Sequence, residues 1–141
     1  SSRIWQRIGA EQDGYFTVDS IGTPFAAGGL SAGLRDMVRV GQLVLNEGVI
    51  NGKQLFPAAA VERIRQGGGR QAFAAAGYRT LPGGSYRGMW WSLHNDHGAF
   101  TARGQTIYID PTAEMVIVRF ASHPVAGNTA PHLAPSLSSG S

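Results

Sequence analysis

From residue 34 onward the apolar residues Leu34, Met37, Val38, Gly41, Val44 and Leu45 recur at intervals of three and four, with Arg35, Asp36, Arg39 and Gln42 on the opposite side. This spacing predicts an amphipathic helix with a polar outer stripe. Ser31 is the expected N-cap and Gly48 the glycine just past the end. The stretch Val49 to Leu55 then reads as a tight Asn51-Gly52 turn between two short apolar arms. A second helix is expected over Ala58 to Gln66, opened by Pro57 and stopped by Gly67-Gly68-Gly69. From Gly69 to Ser85 the small, glycine-rich composition predicts a loop with one helical turn at Ala72 to Ala75.

The remaining pattern is that of strands. Tyr15 to Asp19 alternates and is followed by the turn signal Gly22-Thr23-Pro24. Tyr86 to Leu93 reads as a single strand, which sends Trp90 and Trp91 to opposite faces. His97 to Ala102 follows as a strand, and Phe100 to Phe120 reads as a hairpin closed by the polar turn Asp110 to Glu114. Met115-Val116-Ile117-Val118 is apolar on consecutive positions, so both faces of that strand are expected to be covered. These elements predict an α+β class with an antiparallel sheet packed with helices. Residues 1–123 form the expected domain, and 124–141, rich in Pro, Ser and Ala, are expected to be a flexible tail without a helix.

Composition narrows the function classes. With 43% hydrophobic and 15% charged residues in 141, the chain suits one globular domain, and the low charge predicts that some surface is covered. The net charge of +3 comes from scattered arginines, not a basic run, which argues against nucleic acid as a partner. Without cysteine there is neither a disulfide framework nor a thiolate metal site, which favours a reducing, cytoplasmic setting. No apolar run approaches the about 18 residues of a membrane span. Ser1-Ser2-Arg3 has no signal-peptide form.

Candidate chemistry is sparse. His94-Asn95-Asp96-His97 places two imidazoles and a carboxylate together, yet spacing supplies no third fixed ligand, so a polar turn is expected and no metal or cofactor. There is no Gly-x-Ser-x-Gly elbow and no Ser/His/Asp grouping. Glu11 with Asp13, and Asp110 with Glu114, flank turns, where short polar side chains serve the backbone.

Several stretches taken together carry a resemblance: Ile4-Trp5-Gln6-Arg7-Ile8-Gly9, Phe25-Ala26-Ala27-Gly28-Gly29-Leu30, Tyr86-Arg87-Gly88-Met89-Trp90-Trp91, and Ala102-Arg103-Gly104 leading into Ile107-Tyr108-Ile109-Asp110-Pro111. With these the chain resembles the C-terminal half of β-lactamase-related serine hydrolases, above all the 6-aminohexanoate-oligomer hydrolases and their carboxylesterase relatives. The resemblance implies a β-lactamase/penicillin-binding-protein-like fold and cleavage of a small linear amide or ester through an acyl-enzyme. It implies a wall of the site at Arg103, Gly104 and Gln105, where a backbone N–H stabilises the oxyanion, and a facing loop at Ala27 and Gly28. The family pattern Ala-Arg-Gly-x-x-Gly-Gln is about three residues longer at this point, a difference that inverts the following strand unless the loop absorbs it.

The family nucleophile, Ser-x-x-Lys with a partner tyrosine motif, is missing: Lys53 is the sole lysine, no serine stands three places before it, and Tyr15, Tyr78, Tyr86 and Tyr108 are not followed by x-Asn. The resemblance places the first residues just past that chemistry, so the chain is expected to be inactive alone. The alternative is a non-enzymatic module that self-associates as a homo-oligomer, or that awaits a complementing N-terminal half, through a sheet face the absent helices leave bare.

Overall fold

Helix α1 (Leu34–Leu45) lies across a five-stranded antiparallel sheet because its apolar stripe matches the inward positions of the last two strands. The computed structural model describes residues 3–26, 29–78, 81–93, 100–102 and 106–120. The tail at 124–141 lies outside them. Before α1, strands β1 (Tyr15–Phe16) and β2 (Leu30–Ser31) pair antiparallel, Tyr15 with Ser31 and Phe16 with Leu30. Ser31 is therefore a ladder residue, and the N-cap expected there is Gly33, which has no side chain to cap with. The Gly33 carbonyl instead accepts the N–H groups of Asp36 and Met37 at 3.1 Å each. The helix ends at Leu45, and Gly48, at φ +86°, returns its N–H to the Leu43 carbonyl at 2.8 Å.

Strands β3 (Val49–Ile50) and β4 (Lys53–Gln54) form the expected hairpin, with Asn51 and Gly52 at φ 48° and 72° as a primed turn demands. Helix α2 (Ala58–Gln66) has the bounds that Pro57 and Gly67 foretell. Helix α3 (Arg70–Ala75) begins two residues before the expected turn.

The stretch expected as one strand from Tyr86 is two. β5 (Ser85–Arg87) folds back on β6 (Trp90–Ser92) through Gly88 and Met89, at φ 57° and 72°. β7 (Phe100–Ala102), β8 (Thr106–Asp110) and β9 (Met115–Arg119) complete the sheet in the order β5-β6-β7-β8-β9. The β8–β9 turn is held by the Asp110 carboxylate, which accepts the N–H groups of Thr112 and Ala113 at 3.0 and 3.1 Å.

The two faces of this sheet differ. Toward the helices, Ile107 and Ile109 of β8 are buried with Val44 and Val61, and Trp90, Val116 and Val118 pack around them. Gly41 lets α1 approach closely, since a Cβ there would lie 2.5 Å from Val116 Cγ1 and 3.1 Å from Ile107 Cγ2. On the other face the register aligns Tyr86 with Trp91, and Tyr108 with Ile117, across neighbouring strands. Phe73 and Tyr78, stacked at 4.5 Å, shield Trp91 at one end of this face. At the other end Ile117 is 48% and Met115 39% exposed. The covering expected on both faces of β9 is thus present on one only among the described residues, and β9 is an edge strand, not a central one.

Candidate functional site

The loop and strand ends that flank the expected wall are well fixed, although Ala27, Gly28, Arg103, Gly104 and Gln105 themselves lie outside the described residues, as does His94 to His97. On the first side, Gly29 donates to the Phe25 carbonyl at 2.8 Å, Phe25 to Thr17 at 2.9 Å, and Thr17 to Gly29 at 2.9 Å. This closed set of backbone bonds fixes Phe25 and Gly29, on either side of Ala27 and Gly28 in the sequence. A side chain at Gly29 would strike Thr17 Oγ1 and sit 2.6 Å from the Phe25 carbonyl, so glycine is required for this closure.

On the second side, Ala102 of β7 pairs with Ile107 of β8, and residues 103–106 make the connection between them. β8 still turns Ile107 and Ile109 toward α1. The strand after the connection thus keeps its apolar pair on the core side.

A buried carboxylate ties the first segment to α1. Asp36, only 1% exposed, accepts the Glu11 N–H at 2.8 Å, the Gln12 N–H at 3.2 Å and Arg39 Nη1 at 3.0 Å. The pattern that places Asp36 on the polar outer stripe is corrected here: the stripe is covered by residues 11 and 12, which supply donors that a solvated face would not. Gly33 makes room for this arrangement, since a Cβ there would lie 2.9 Å from Gln12 Oε1 and 3.1 Å from Asp36 Oδ2.

Trp5 Nε1 closes the same segment by donating to the Gln12 carbonyl at 2.8 Å. Arg39 also donates to Glu11 Oε1 at 2.5 Å. That bond, with the charges of Arg39 and Arg35, holds the Glu11 carboxyl below its usual range, and the Glu11 bond raises Arg39 in turn. Asp19 is likewise lowered, first by the Thr23 N–H and then by that of Ile21. The only local signal for this clamp was an acidic residue in the first helical turn.

Elsewhere the polar side chains serve the fold. Ser92 Oγ donates to the Ile64 carbonyl, and Ser85 is buried beside Gly67 at the end of α2. An apolar cleft of about 490 Å³ is lined by Ala72, Phe73, Ala76, Tyr78, Tyr86 and Trp91. A more polar one of about 560 Å³ lies between the end of α1 and the β8–β9 turn, with Glu47, Arg65 and Glu114 at its rim. Among the described residues no three His, Cys, Asp or Glu side chains gather to hold a metal ion, and no helix is long and apolar enough to cross a membrane. The described residues alone thus present a scaffold around two loop ends, with no nucleophile and base in contact.

A curated relative, the 6-aminohexanoate-dimer hydrolase of Paenarthrobacter ureafaciens, is 36% identical over 128 residues, which is 88% of this chain. Along most of its length the chain matches a C-terminal fragment of proteins named 6-aminohexanoate-dimer hydrolase. A solved structure titled putative 6-aminohexanoate-dimer hydrolase from Bacillus anthracis matches with a TM-score of 0.72 and 43% identity over 86% of the chain. The chain spans 33% of the first relative and 31% of the second, about a third of each, where the resemblance suggested a half. No general family model matches it.

Proposed function

We propose that this chain is part of a serine hydrolase with a β-lactamase-like fold, which opens a linear amide or ester through an acyl-enzyme. The match to hydrolases along most of the chain carries this reading. In such an enzyme a serine hydroxyl attacks the carbonyl, a lysine and a tyrosine move protons, and a backbone N–H holds the oxyanion. The chain has no Ser-x-x-Lys of its own, so the nucleophile belongs to the portion of the family outside the match. In this reading the portion contributes the sheet and the wall: the resemblance gives Arg103, Gly104 and Gln105 the oxyanion donor and Ala27 and Gly28 a loop near the nucleophile. One fixed donor of this kind is worth about 3 kcal/mol of transition-state stabilisation.

Two measurements test the reading. The purified chain is expected to hydrolyse neither a p-nitrophenyl ester nor a linear 6-aminohexanoate dimer, and to take no label from a fluorophosphonate. Joined to the remaining two thirds of a family member, the assembly is expected to take one label per molecule and to turn over the ester. Turnover by the chain alone, or an assembled protein that takes no label, contradicts it.

A further inference from the structure

We infer that the cleft between the first turn of the chain and the β3–β4 hairpin is a binding site for an aliphatic monocarboxylate. It has a volume of about 420 Å³ and is lined by Arg7, Ile50, Asn51, Lys53 and Leu55. Acids of this class are what hydrolysis of a linear ester or amide releases, but the site itself stands without the chemistry proposed above.

The hairpin presents one coherent face to this cleft. Ile50 pairs directly with Lys53, and residues opposite each other in an antiparallel ladder share a face. Leu55, two places beyond Lys53, returns to that face, and its N–H continues the ladder to the Gly48 carbonyl at 2.8 Å. Gln54 takes the other face, where its amide donates to the Glu47 and Phe56 carbonyls and holds the hairpin in place. Arg7 comes from a separate segment. Ile8 beside it is buried, with its N–H on the Ile4 carbonyl at 3.0 Å, so the turn that carries the guanidinium is anchored.

The charges brought together here are unanswered. Arg35, Arg39 and Arg65 each meet a carboxylate, whereas among the described residues Arg7 and Lys53 meet none, and the cleft lining contains no acid. Folding thus places two like charges in one concavity without a counter-charge, a cost that a bound anion removes. The planar fork of Arg7 matches the edge of a carboxylate, Lys53 adds a point charge, and the Asn51 amide is a further donor. Ile50 and Leu55, both half-buried, make the rest of the lining apolar. Cations beside methylene-compatible surface select an anion that carries a tail, and so an aliphatic acid over inorganic phosphate.

The test is an NMR titration of the purified, isotope-labelled chain with sodium hexanoate at constant ionic strength, read at backbone amides and arginine Nε–H groups. Saturable shifts are expected at residues 50–55 and at Arg7, with a dissociation constant on the order of a millimolar. Hexanol keeps the tail without the charge and inorganic phosphate keeps the charge without the tail, and each is expected to bind about tenfold more weakly. Arg7→Gln and Lys53→Gln are each expected to weaken hexanoate by about fivefold. Lys53→Arg is expected to retain it, and Arg70→Gln, which removes the same charge from α3, to leave it unchanged. The titration of the unsubstituted chain needs no variant, so a poorly folding substitution does not blur the result. No saturable shift at residues 50–55, hexanol or phosphate bound as tightly as hexanoate, or a loss in Arg70→Gln equal to that in Lys53→Gln would each overturn the inference.

Discussion

Ile109 and Ile117 are the same residue on adjacent strands of one sheet, yet the first is 0% exposed and the second 48%. Ile109 faces α1 and shares a core with Val44, Val61 and Ile107. Ile117 faces away, on a side that Phe73 and Tyr78 shield only at the Trp91 end. A sheet with apolar residues on both faces needs a layer on each, and this chain's described residues supply one and part of another. The difference separates the face that these residues close from the face that they leave open.

Truncation makes the sharpest break between the two faces. Ile109→Ala is expected to cost about 2–5 kcal/mol in chemical denaturation, because it leaves a cavity where nothing can collapse. Ile117→Ala is expected to change the same measurement by less than about 0.5 kcal/mol in the isolated chain. Equal costs at the two positions would show that the outer face is already covered.

The next largest effect tests how firmly residues 3–14 belong to the finished side. Asp36→Ala strands the Glu11 and Gln12 N–H groups and Arg39. It is expected to cost about 2–3 kcal/mol, as for buried hydrogen bonds to a charged group. A urea titration with a probe at Trp5 would report it, and a change within error would make the clamp ornamental. Gly41→Ala then asks how tightly the closed face is packed. The clash with Val116 outweighs the gain in helix propensity, for a net loss of about 1–2 kcal/mol. A more stable variant would mean that α1 sits further from β9 than described.

Acid provides the smallest effect. Glu11 and Asp19 have folded-state pKa values lowered by Arg39 and by the Thr23 N–H respectively. Their stabilisation is therefore full above their unfolded values of about 4.3 and 3.9, and is lost as pH falls through the lower folded values. Thermal melting between pH 2 and 7 is expected to show a shallow decline at the acid end, shallower still in Glu11→Gln and Asp19→Asn. An unchanged slope in both variants would remove these two groups from the acid response.

Local chemistry made part of this fold legible. Pro57 and the glycines after Gln66 bracket α2 to the residue, and Asn51-Gly52 specifies its own turn through two positive φ angles. The features that were not legible depend on distant partners. Ser31 carries an N-cap side chain but is drawn into a ladder by Tyr15, sixteen positions earlier. Asp36 reads as solvent-facing until residues 11 and 12 cover it. The Gly88–Met89 turn was hidden because methionine seldom adopts a left-handed φ, here 72°. Met115 to Val118 has the composition of a strand covered on both sides, and composition is blind to whether the cover comes from these residues or from others. The expected wall was legible only through a resemblance to known hydrolases, and its residues lie outside the described structure.

The most direct measurement is native-state hydrogen exchange on the purified chain alone, read residue by residue in β8 and β9. The account expects Ile107 and Ile109 to exchange only through global opening, while the outward-facing amides of Met115–Arg119 exchange orders of magnitude faster. Protection throughout β9 equal to that of β8 would mean the edge is already paired, and would contradict the contrast drawn here between a closed and an open side of the sheet.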